Sequence, residues 1–553
     1  MAVSKQVLIL NITRIGDLVQ TVPLISRLHQ EWPDVAIDLV VDTRCAVMAA
    51  LLPGLRHVFS EDFETRLPQG DARTSDEVTV RRDIIAWAKF LQGARYDRVI
   101  NLTFTPASGV LAASIGVPDT RGLMTRPTGA PMLRDPWLTY LVDLHQYRRL
   151  NRFNLVDLYA LGGSGPGAYT PMRLRVPSDA EEWACRYLKT ETHGRHPLAV
   201  QVGASDPVKA WRPEYFGRTM AAIHRCVDVP FLLTGAPSEA TWAKQAISVY
   251  RESGGAGVVC DAVGRTDLGQ LAALLARCRL LLTNDTGPMH VAVAVGTPVI
   301  DLSLGSFYFR ETGPYGPGHL VVQPDIPCAP CVHDSACAHH ACKDQILTEQ
   351  VAALTLSLLG QQPFPSRWTG VHVYESRIDE DGLIAYELRA GRIDTVDDRY
   401  GVFWRRFWYE TFTGQASRIP SEPSAPDLVE QQHLFYRLVP AFDRLVARAD
   451  HVAQVTCSSP FPVATFKAAE AQLSDDRQRV MTWSLPSPAF GPIAVALTRE
   501  LHNGDGLALQ AMAGRQAHAY RRLRDRARAV MERLEGRTAV SNRLFQLATE
   551  GVR

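Results

Sequence analysis

Short apolar runs alternate with amphipathic stretches along the first 360 residues, and this alternation limits the fold more than any other feature. The runs at 6–10, 36–41 and 97–102 predict strands, and the apolar spacing at 17–30 and 78–91 predicts helices. Strands that alternate with helices form βαβ units on a parallel sheet. The first part of the chain therefore predicts a Rossmann-like domain.

A second block of the same kind follows a glycine-rich segment at 161–167, which we interpret as a hinge. Its predicted strands are 198–202, 231–234, 280–283 and 298–302, and its predicted helices include 267–276 and 289–295. Two such blocks predict an α/β fold with two Rossmann-like domains, residues 1–172 and 173–362, facing a central cleft. Ligands of open α/β sheets bind beyond the carboxyl ends of the strands.

The character of the sequence changes near residue 363, and residues 363–553 are predicted to form a mostly helical extension. A strand pair is predicted within 366–388. Aromatic residues recur at helical spacing over 398–412, which favours core or interface over a ligand site. We assign this extension no function from its sequence.

A basic helix is predicted near the C-terminus, where 515–537 carries eight arginines. Its apolar stripe is formed by Leu523, Ala527, Val530 and Leu534. One interpretation is a helix that makes peripheral contact with the anionic surface of an inner membrane. The alternative is a solvated helix packed by one face on its own domain.

Charge and composition exclude some classes of partner. The net charge is +1, from 59 basic and 58 acidic residues, so nothing global favours nucleic acid. The N-terminal apolar run is too short for a signal peptide, and no stretch reaches the ~18 apolar residues of a membrane span. We therefore expect a cytoplasmic site of action. Ten cysteines in such a chain favour thiols or metal ligands over disulfides.

The loop at 284–290 joins a predicted strand to a predicted helix, and Gly287 suits the tight path between them. Backbone amides and the positive end of the helix dipole then point into the cleft, where a diphosphate is a natural ligand. His290 can donate to phosphate, and Asp285 can accept from sugar hydroxyls. The alternative is that Asp285 or Thr286 only caps the helix and His290 lies at the surface.

Three further turns at strand ends carry polar residues. Asp17 follows the first strand and can take a proton from an attacking hydroxyl, or it can be an ordinary helix cap. Lys209, in the loop after the strand at 198–202, can neutralise a departing diphosphate or be a solvated lysine. Glu239 can hold nucleoside hydroxyls or cap a helix.

Together these turns resemble glycosyltransferase family 9, the heptosyltransferases that build the inner core of lipopolysaccharide. The resemblance covers residues 5–360. Its most specific segments are Arg14-Ile15-Gly16-Asp17, Lys209-Ala210-Trp211 and Asp285-Thr286-Gly287-Pro288-Met289-His290. It implies the GT-B architecture and an inverting transfer, independent of metal. The donor it implies is a nucleotide sugar, typically ADP-heptose, and the acceptor is a glycan or lipid-linked glycan.

The resemblance also implies roles for individual residues. Asp17 matches the general base, and Lys209 matches the lysine at the donor phosphates. The donor-binding residues are then Ser205, Lys209, Glu239, Asp285, Thr286, Gly287 and His290. The transfer would be a single displacement at the anomeric carbon, with the base on the first domain and the leaving-group contacts on the second. Closure of the cleft is therefore expected in the cycle.

Four cysteines lie within 15 residues, and they are Cys328, Cys331, Cys337 and Cys342. Four thiolates suit tetrahedral zinc or iron, so we predict a structural metal here. The spacing is tighter than in most zinc ribbons, and free thiols or local disulfides are the alternatives. No cofactor is predicted for catalysis.

Two other functions fit parts of the sequence. One is another GT-B enzyme, such as a sugar-nucleotide epimerase, which needs no acceptor. The other is a metal- or redox-dependent regulatory protein organised on the cysteines. A nicotinamide dehydrogenase is disfavoured, because no G-x-G-x-x-G follows the first strand, and no P-loop pattern occurs.

Overall fold

The computed structural model describes residues 5–63, 77–331, 337, 339–391, 395–418 and 425–535. The chain divides into two compact units. The first comprises Met1–Thr103, Ile115–Thr120 and Phe153–Ile393, and the second comprises Phe104–Ser114, Arg121–Arg152 and Asp394–Arg553. The domain limits proposed above, after residues 172 and 362, both fall inside the first unit and stay a prediction.

The predicted strands occur in the predicted order, and the structure adds strands at 57–61, 119–125, 131–134, 259–261 and 320–324. The strands are β1 (Gln6–Leu10), β2 (Ala36–Asp42), β3 (His57–Glu61), β4 (Arg98–Asn101), β5 (Asp119–Thr125), β6 (Pro131–Arg134), β7 (Leu198–Gln201), β8 (Phe231–Thr234), β9 (Val259–Asp261), β10 (Leu280–Asn284), β11 (Val299–Leu302), β12 (Leu320–Pro324), β13 (Val371–Ile378) and β14 (Ile384–Ala390). The α-helices are α1 (Ile15–Val19), α2 (Val22–Glu31), α3 (Ala46–Ala49), α4 (Glu77–Gln92), α5 (Pro106–Ile115), α6 (Pro136–Asp143), α7 (Leu155–Gly163), α8 (Ser178–Glu191), α9 (Pro213–His224), α10 (Ala240–Glu252), α11 (Leu268–Leu275), α12 (Gly287–Ala294), α13 (Phe309–Thr312), α14 (Ala341–Gln345), α15 (Thr348–Leu358), α16 (Val396–Thr413), α17 (Ala425–Thr456), α18 (Val463–Ser484), α19 (Gly491–His502) and α20 (Leu509–Glu535).

The first unit contains a parallel sheet in which β1 lies between β2 and β4, and β3 pairs with β2. The side chains of 7–10 in β1 are fully buried. An apolar run without alternation fits a parallel strand that is covered on both faces. The strand predicted at 6–10 is therefore confirmed, with its bounds.

The second sheet, also in the first unit, has the order β14-β13-β12-β11-β10-β7-β8-β9. Strands β7 to β12 pair in parallel, and β13 and β14 add an antiparallel pair at one edge. The strand pair predicted within 366–388 is thus confirmed, and it completes this sheet. Two Rossmann-like sheets confirm the α/β fold of the GT-B type, and the region beyond β14 is helical.

The hinge predicted at 161–167 is wrong in its first half, because helix α7 continues to Gly163. A Cβ on Gly163 would lie 2.4 Å from Cδ1 of Leu24, so this glycine lets α2 and α7 pack closely. Only at Gly165, with a φ of +123°, does the backbone take a path that favours glycine. Gly163 therefore serves helix packing rather than flexibility.

In the second unit, the aromatic stripe predicted at 398–412 lies on α16. Its large side chains are buried, and they are Tyr400, Phe403, Trp404, Phe407, Trp408 and Tyr409. Trp404 and Trp408 stack with ring centroids 5.6 Å apart, and Trp408 stacks in turn on Phe412 at 5.1 Å. The interpretation of this stripe as core is confirmed.

The basic helix near the C-terminus is α20, and its apolar stripe at 523, 527, 530 and 534 is at most 2% exposed. Several of its arginines pair with acids of neighbouring helices, as Arg521 does with Asp450 and Arg528 with Asp443. The stripe therefore packs inside the second unit and is not available to lipid. Among the described residues, no helix is both long and apolar enough to cross a membrane.

Candidate active site

Asp17 lies in the first turn of α1, directly beyond the carboxyl end of β1. Its Oδ2 accepts from the backbone amide of Arg14 at 3.4 Å, as a helix-capping acid does. Two side chains hold its own carbonyl: Asn11 donates at 3.2 Å and Thr21 donates at 2.9 Å. These contacts fix the position of the carboxylate, so capping and a chemical role do not exclude each other.

The environment of Asp17 favours its protonated form more than water does. Burial raises the pKa of Asp17, and the charges of Arg14 and Lys209 only partly oppose that effect. A carboxylate with a raised pKa is a stronger base once it is ionised. The influence of Lys209 also shows that the turn after β1 and the loop after β7 share one electrostatic environment.

Lys209 ends a short 3₁₀ helix, Pro207–Lys209, that follows β7 and is capped by Asp206. Its Nζ lies 3.5 Å from Oδ2 of Asp285, in the loop after β10. Burial raises the pKa of Asp285 to about 6, the Lys209 charge opposes this, and the Asp17 charge adds to it. The structure thus brings together three residues that the sequence only suggested separately.

Asn284 connects the two loops that carry this pair. Its amide nitrogen donates to the carbonyl oxygens of Val202 and Gly203 at 3.0 and 3.2 Å, and its Oδ1 accepts from the amide of Trp211 at 2.9 Å. Asn284 is fully buried. No role was predicted for Asn284, although a polar residue at the end of an otherwise apolar strand could have indicated one.

Thr286 begins α12 without capping it through its side chain. Its Oγ1 lies 3.3 Å from the hydroxyl of Thr283 instead. A Cβ on Gly287 would meet Cγ2 of Ile15 at 3.7 Å, an ordinary van der Waals distance. Packing within the chain therefore does not require glycine at 287.

His290 is buried rather than at the surface, and its Nε2 lies 3.1 Å from Nε2 of Gln20. Burial lowers the pKa of His290 to about 4, so the ring is neutral at pH 7. A Cβ on Gly16 would lie 3.0 Å from Cδ2 of His290, so α1 and α12 meet at this ring. Its Nδ1 has no partner among the described residues. The ring can thus offer phosphate a neutral hydrogen bond and no full charge.

Glu239 lies beside the loop after β7. Its Oε2 accepts from the side chain of Gln201 at 2.9 Å and from the amide of Ala236 at 2.7 Å. A Cβ on Gly203 would lie 2.0 Å from its Oε1, and one on Gly235 would lie 2.5 Å from its Oε2. Glu239 therefore acts as the helix-capping acid that one interpretation predicted. Its Oε1 takes part in neither of these two hydrogen bonds.

Two other residues complete the neighbourhood of the pair. Ser205 is exposed in the loop before Lys209. Asp301, on β11, is fully buried, and neither of its carboxylate oxygens has a partner among the described residues. Burial raises the pKa of Asp301 well above the usual range, and the charge of Asp285 adds to this. From the sequence, Asp301 was predicted only as part of the strand at 298–302.

The cysteine segment packs against the loop of Lys209. The amide of Cys331 donates to the carbonyl of Gly305 at 2.9 Å, and a Cβ on Gly305 would lie 2.9 Å from Val208. Farther along, Lys343 donates to the carbonyl of Pro207 at 2.7 Å. The cysteine segment therefore helps to hold the loop of Lys209 in position.

The predicted metal ligands are thiols in the structure, with Cys342 buried and Cys328 exposed. Within the described ranges, which omit 332–336 and 338, no three residues of the types His, Cys, Asp or Glu are grouped to hold a metal ion. The local disulfides offered as an alternative do not form between the cysteines. A structural metal at Cys328, Cys331, Cys337 and Cys342 stays a prediction.

The arrangement has the parts of a group-transfer site. One carboxylate with a raised pKa can accept a proton, and the half-buried ammonium of Lys209 can balance negative charge on a leaving group. Both lie at the carboxyl ends of parallel strands, where open α/β sheets bind their ligands.

Comparison with known proteins gives a consistent result. A family model described as glycosyltransferase family 9 (heptosyltransferase) matches residues 84–341. Lipopolysaccharide heptosyltransferase 3 of Escherichia coli is 25% identical over 290 residues, 52% of this chain and 79% of that protein. Lipooligosaccharide heptosyltransferase 2 of Campylobacter jejuni is 26% identical over 171 residues, 30% of this chain and 52% of that protein.

One solved structure, E. coli ADP-heptose lps heptosyltransferase II, aligns with a TM-score of 0.48 at 18% identity, over 64% of this chain and 99% of that one. The family match begins within α4 and ends at the first residue of α14, so it includes the loops of Lys209 and Asp285 but not Asp17. Over these residues the chain is similar to glycosyltransferase family 9, and it is a glycosyltransferase.

Proposed function

We propose that this glycosyltransferase is an inverting heptosyltransferase that uses ADP-heptose. The acceptor is a sugar of the lipopolysaccharide core or a related glycan, as the names of the relatives suggest. The observation that carries the proposal is the shared electrostatic environment of Asp17 and the Lys209–Asp285 pair. Nucleotide sugars are cytoplasmic substrates, so we place the reaction in the cytoplasm.

In the proposed reaction, Asp17 takes the proton of an acceptor hydroxyl. The acceptor oxygen forms a bond to the anomeric carbon while the bond from that carbon to the diphosphate oxygen breaks. Inversion follows because attack and departure occur on opposite faces. The nucleoside diphosphate leaves with the bonding electrons, and Lys209 balances the charge that develops on it.

The donor is proposed to lie along the loops after β7, β8 and β10. Thr286 and the backbone at Gly287 would contact the diphosphate, with His290 as a neutral donor. Asp285 would accept from sugar hydroxyls, and Ser205 would bind from the exposed side of its loop. The uncommitted oxygen of Glu239 would accept from nucleoside hydroxyls. No metal is needed in this scheme, since Lys209 supplies the positive charge.

The proposal is tested with the full chain, ADP-heptose and a lipopolysaccharide acceptor that lacks its outer sugars. We expect nucleoside diphosphate release only when donor and acceptor are both present, and a product whose anomeric configuration is inverted relative to the donor. Turnover of the donor alone to an epimer would favour the epimerase alternative. Transfer from UDP- or GDP-sugars but not from ADP-heptose would refute the donor assignment.

The role of Asp17 needs its own variant. We expect Asp17→Asn to lower kcat by about 10²- to 10⁴-fold, because a general base is lost, while donor binding changes little. A matched control is Asp206→Asn, which alters a capping acid in the neighbouring loop. If Asp17→Asn keeps wild-type kcat, another group is the base.

A further inference from the structure

The side chains of Gln20 and His290 meet in a buried contact within the first unit. Gln20 is the first residue after α1, and its Nε2 lies 3.1 Å from Nε2 of His290 on α12. Gln20 and His290 are only 1% and 4% exposed, so water has little access to the contact. The contact therefore joins the short helix that carries Asp17 to the helix that begins at Gly287.

The two nitrogen atoms of this contact determine the direction of the hydrogen bond. An amide nitrogen carries two N–H donors and cannot accept, so Gln20 donates and Nε2 of His290 accepts. Burial lowers the pKa of His290 to about 4, and the neutral ring holds a single N–H at pH 7. A ring nitrogen that accepts carries no proton, and the other nitrogen then carries it. The proton of His290 therefore lies on Nδ1.

This Nδ1–H group has no acceptor of its own. Nδ1 is buried and has no partner among the residues that the structure describes. Buried N–H groups are nearly always hydrogen-bonded in proteins, because an unmet donor has lost its bonds to water. A ligand oxygen would supply the acceptor that the described residues do not.

The surroundings of His290 favour an anionic oxygen. A Cβ on Gly16 would lie 3.0 Å from Cδ2 of His290 and 3.9 Å from Cα of Gly287, so the ring and the first residue of α12 are neighbours. The amides at the start of a helix and the positive end of its dipole favour an anion. A phosphoryl oxygen bound at this helix start is therefore the acceptor that best fits Nδ1–H.

We propose that Gln20 is a positioning residue that sets the tautomer of His290, so that Nδ1–H donates to a phosphoryl oxygen of the donor. The identity of this ligand rests on the proposed function, whereas the tautomer does not depend on it. Without Gln20, part of the rings would carry the proton on Nε2, and Nδ1 would turn a lone pair towards the oxygen. The segment that carries Asp17 thus also prepares a contact to the leaving group.

Histidine ¹⁵N NMR measures the tautomer directly, because protonated and unprotonated ring nitrogens have well-separated chemical shifts. The full chain is labelled with ¹⁵N-histidine at pH 7, and the His290 signals are identified by their loss in His290→Asn. We expect the proton on Nδ1 in the wild type and a mixture of both tautomers in Gln20→Met. Gln30→Met, at an exposed glutamine of α2, is the matched control and should keep the wild-type signals. A wild-type ring protonated at Nε2 overturns the proposal.

Inorganic pyrophosphate and ADP test the phosphate contact on the same labelled chain. We expect the Nδ1 proton to move downfield with each of them, as it forms a hydrogen bond to a phosphoryl oxygen. The proposal is overturned if neither ligand moves this proton. If both move it but ADP-heptose is not turned over, the proposed function fails and the positioning role of Gln20 stands.

Kinetics with ADP-heptose separate the two ring nitrogens and cover the case in which Gln20→Met does not fold. The amide nitrogen takes the place of Nδ1 in His290→Asn and of Nε2 in His290→Gln. We expect His290→Gln to lose about 10²-fold in kcat/KM and His290→Asn to lose clearly less. Gln20→Met should lose about fivefold, because only part of its rings present the N–H. A more active His290→Gln than His290→Asn would overturn the proposal.

Discussion

The Nζ atom of Lys209 lies 3.5 Å from Oδ2 of Asp285, and the two side chains are only 16% and 14% exposed. Each group needs the other, because burial disfavours both charges. The pKa of Asp285 at about 6 is the result of this balance. Asp285 in this pair therefore changes its protonation state just below neutral pH.

We expect the transfer rate to fall as the pH drops through about 6, because Asp285 then gains a proton, and the raised pKa of Asp17 acts in the same direction. In Lys209→Met the stabilising charge is lost, the pKa of Asp285 rises further, and this acid limb moves to higher pH. The pH profile of kcat measures the change. We also expect kcat at pH 8 to fall by about 10²- to 10³-fold, since the leaving group loses its counter-charge.

The control for Lys209→Met is Lys189→Met, which removes an exposed charge from α8. Its pH profile should match that of the wild type. An unshifted acid limb in Lys209→Met would contradict the coupling of Lys209 to Asp285.

The two glycines at 16 and 287 should respond differently to alanine. A Cβ at Gly16 would press on His290 at 3.0 Å, so we expect Gly16→Ala to lower both the melting temperature and the activity. A Cβ at Gly287 meets only Ile15, at 3.7 Å. Gly287→Ala should therefore melt like the wild type, and a raised KM for the donor would then report contact with bound diphosphate.

These two variants are compared by thermal unfolding and by steady-state kinetics at varied donor concentration. Wild-type kinetics in Gly287→Ala would argue against a donor lying along this backbone. A wild-type melting temperature in Gly16→Ala would show that the His290 ring moves without cost.

Replacement of Asn284 by alanine removes hydrogen bonds to three buried backbone groups. We expect a loss of roughly 2–4 kcal/mol in the free energy of unfolding, because those groups stay buried without partners. Asn284→Asp keeps the acceptor for the amide of Trp211 and loses the donors to Val202 and Gly203. In urea unfolding, neither variant should have a higher midpoint than the wild type. An unchanged midpoint in Asn284→Ala would contradict the structural role of Asn284.

We expect the stability difference between the wild type and Asp301→Asn to depend on pH. The folded pKa of Asp301 lies far above the unfolded value near 3.8, so the folded protein holds a proton that the unfolded chain releases. The stability of the wild type relative to Asp301→Asn therefore falls as the pH rises above about 4, by at most about 1.4 kcal/mol for each pH unit. Asp301→Asn should equal the wild type at pH 4 and exceed it at pH 7.

Chemical unfolding at pH 4, 5, 6 and 7 measures this difference, with Glu181→Gln, an exposed acid of α8, as the control. A constant difference across these pH values would mean that Asp301 is not held protonated.

The central strands of both sheets could be predicted closely, because parallel strands buried on both faces are continuous apolar runs, whereas β3, β9 and β12 were not predicted. The strand at 231–234 agrees at both ends with β8, and the end of the strand at 280–283 differs by one residue from β10. The glycines at 162 and 163 misled the prediction. The sequence alone does not reveal that Leu24, far away in the chain, packs on Gly163.

In the candidate site, the motif residues could be predicted from the sequence. The buried residues around them could not. Asp17, Lys209 and Asp285 stand at strand ends, where local pattern shows them. Asn284 and Asp301 sit within apolar strands, and their importance comes from neighbours distant in sequence. The second unit likewise combines 121–152 with the C-terminal helices, an association that no local pattern predicts.

Strands β13 and β14 have a practical consequence for anyone who wishes to express the catalytic part alone. A chain cut at residue 362, where the composition changes, would lose two of the eight strands of the second sheet. The edge of β12 would then present unpaired backbone groups to other molecules, which is a known route to aggregation. A shortened enzyme should therefore retain every residue through Gly391.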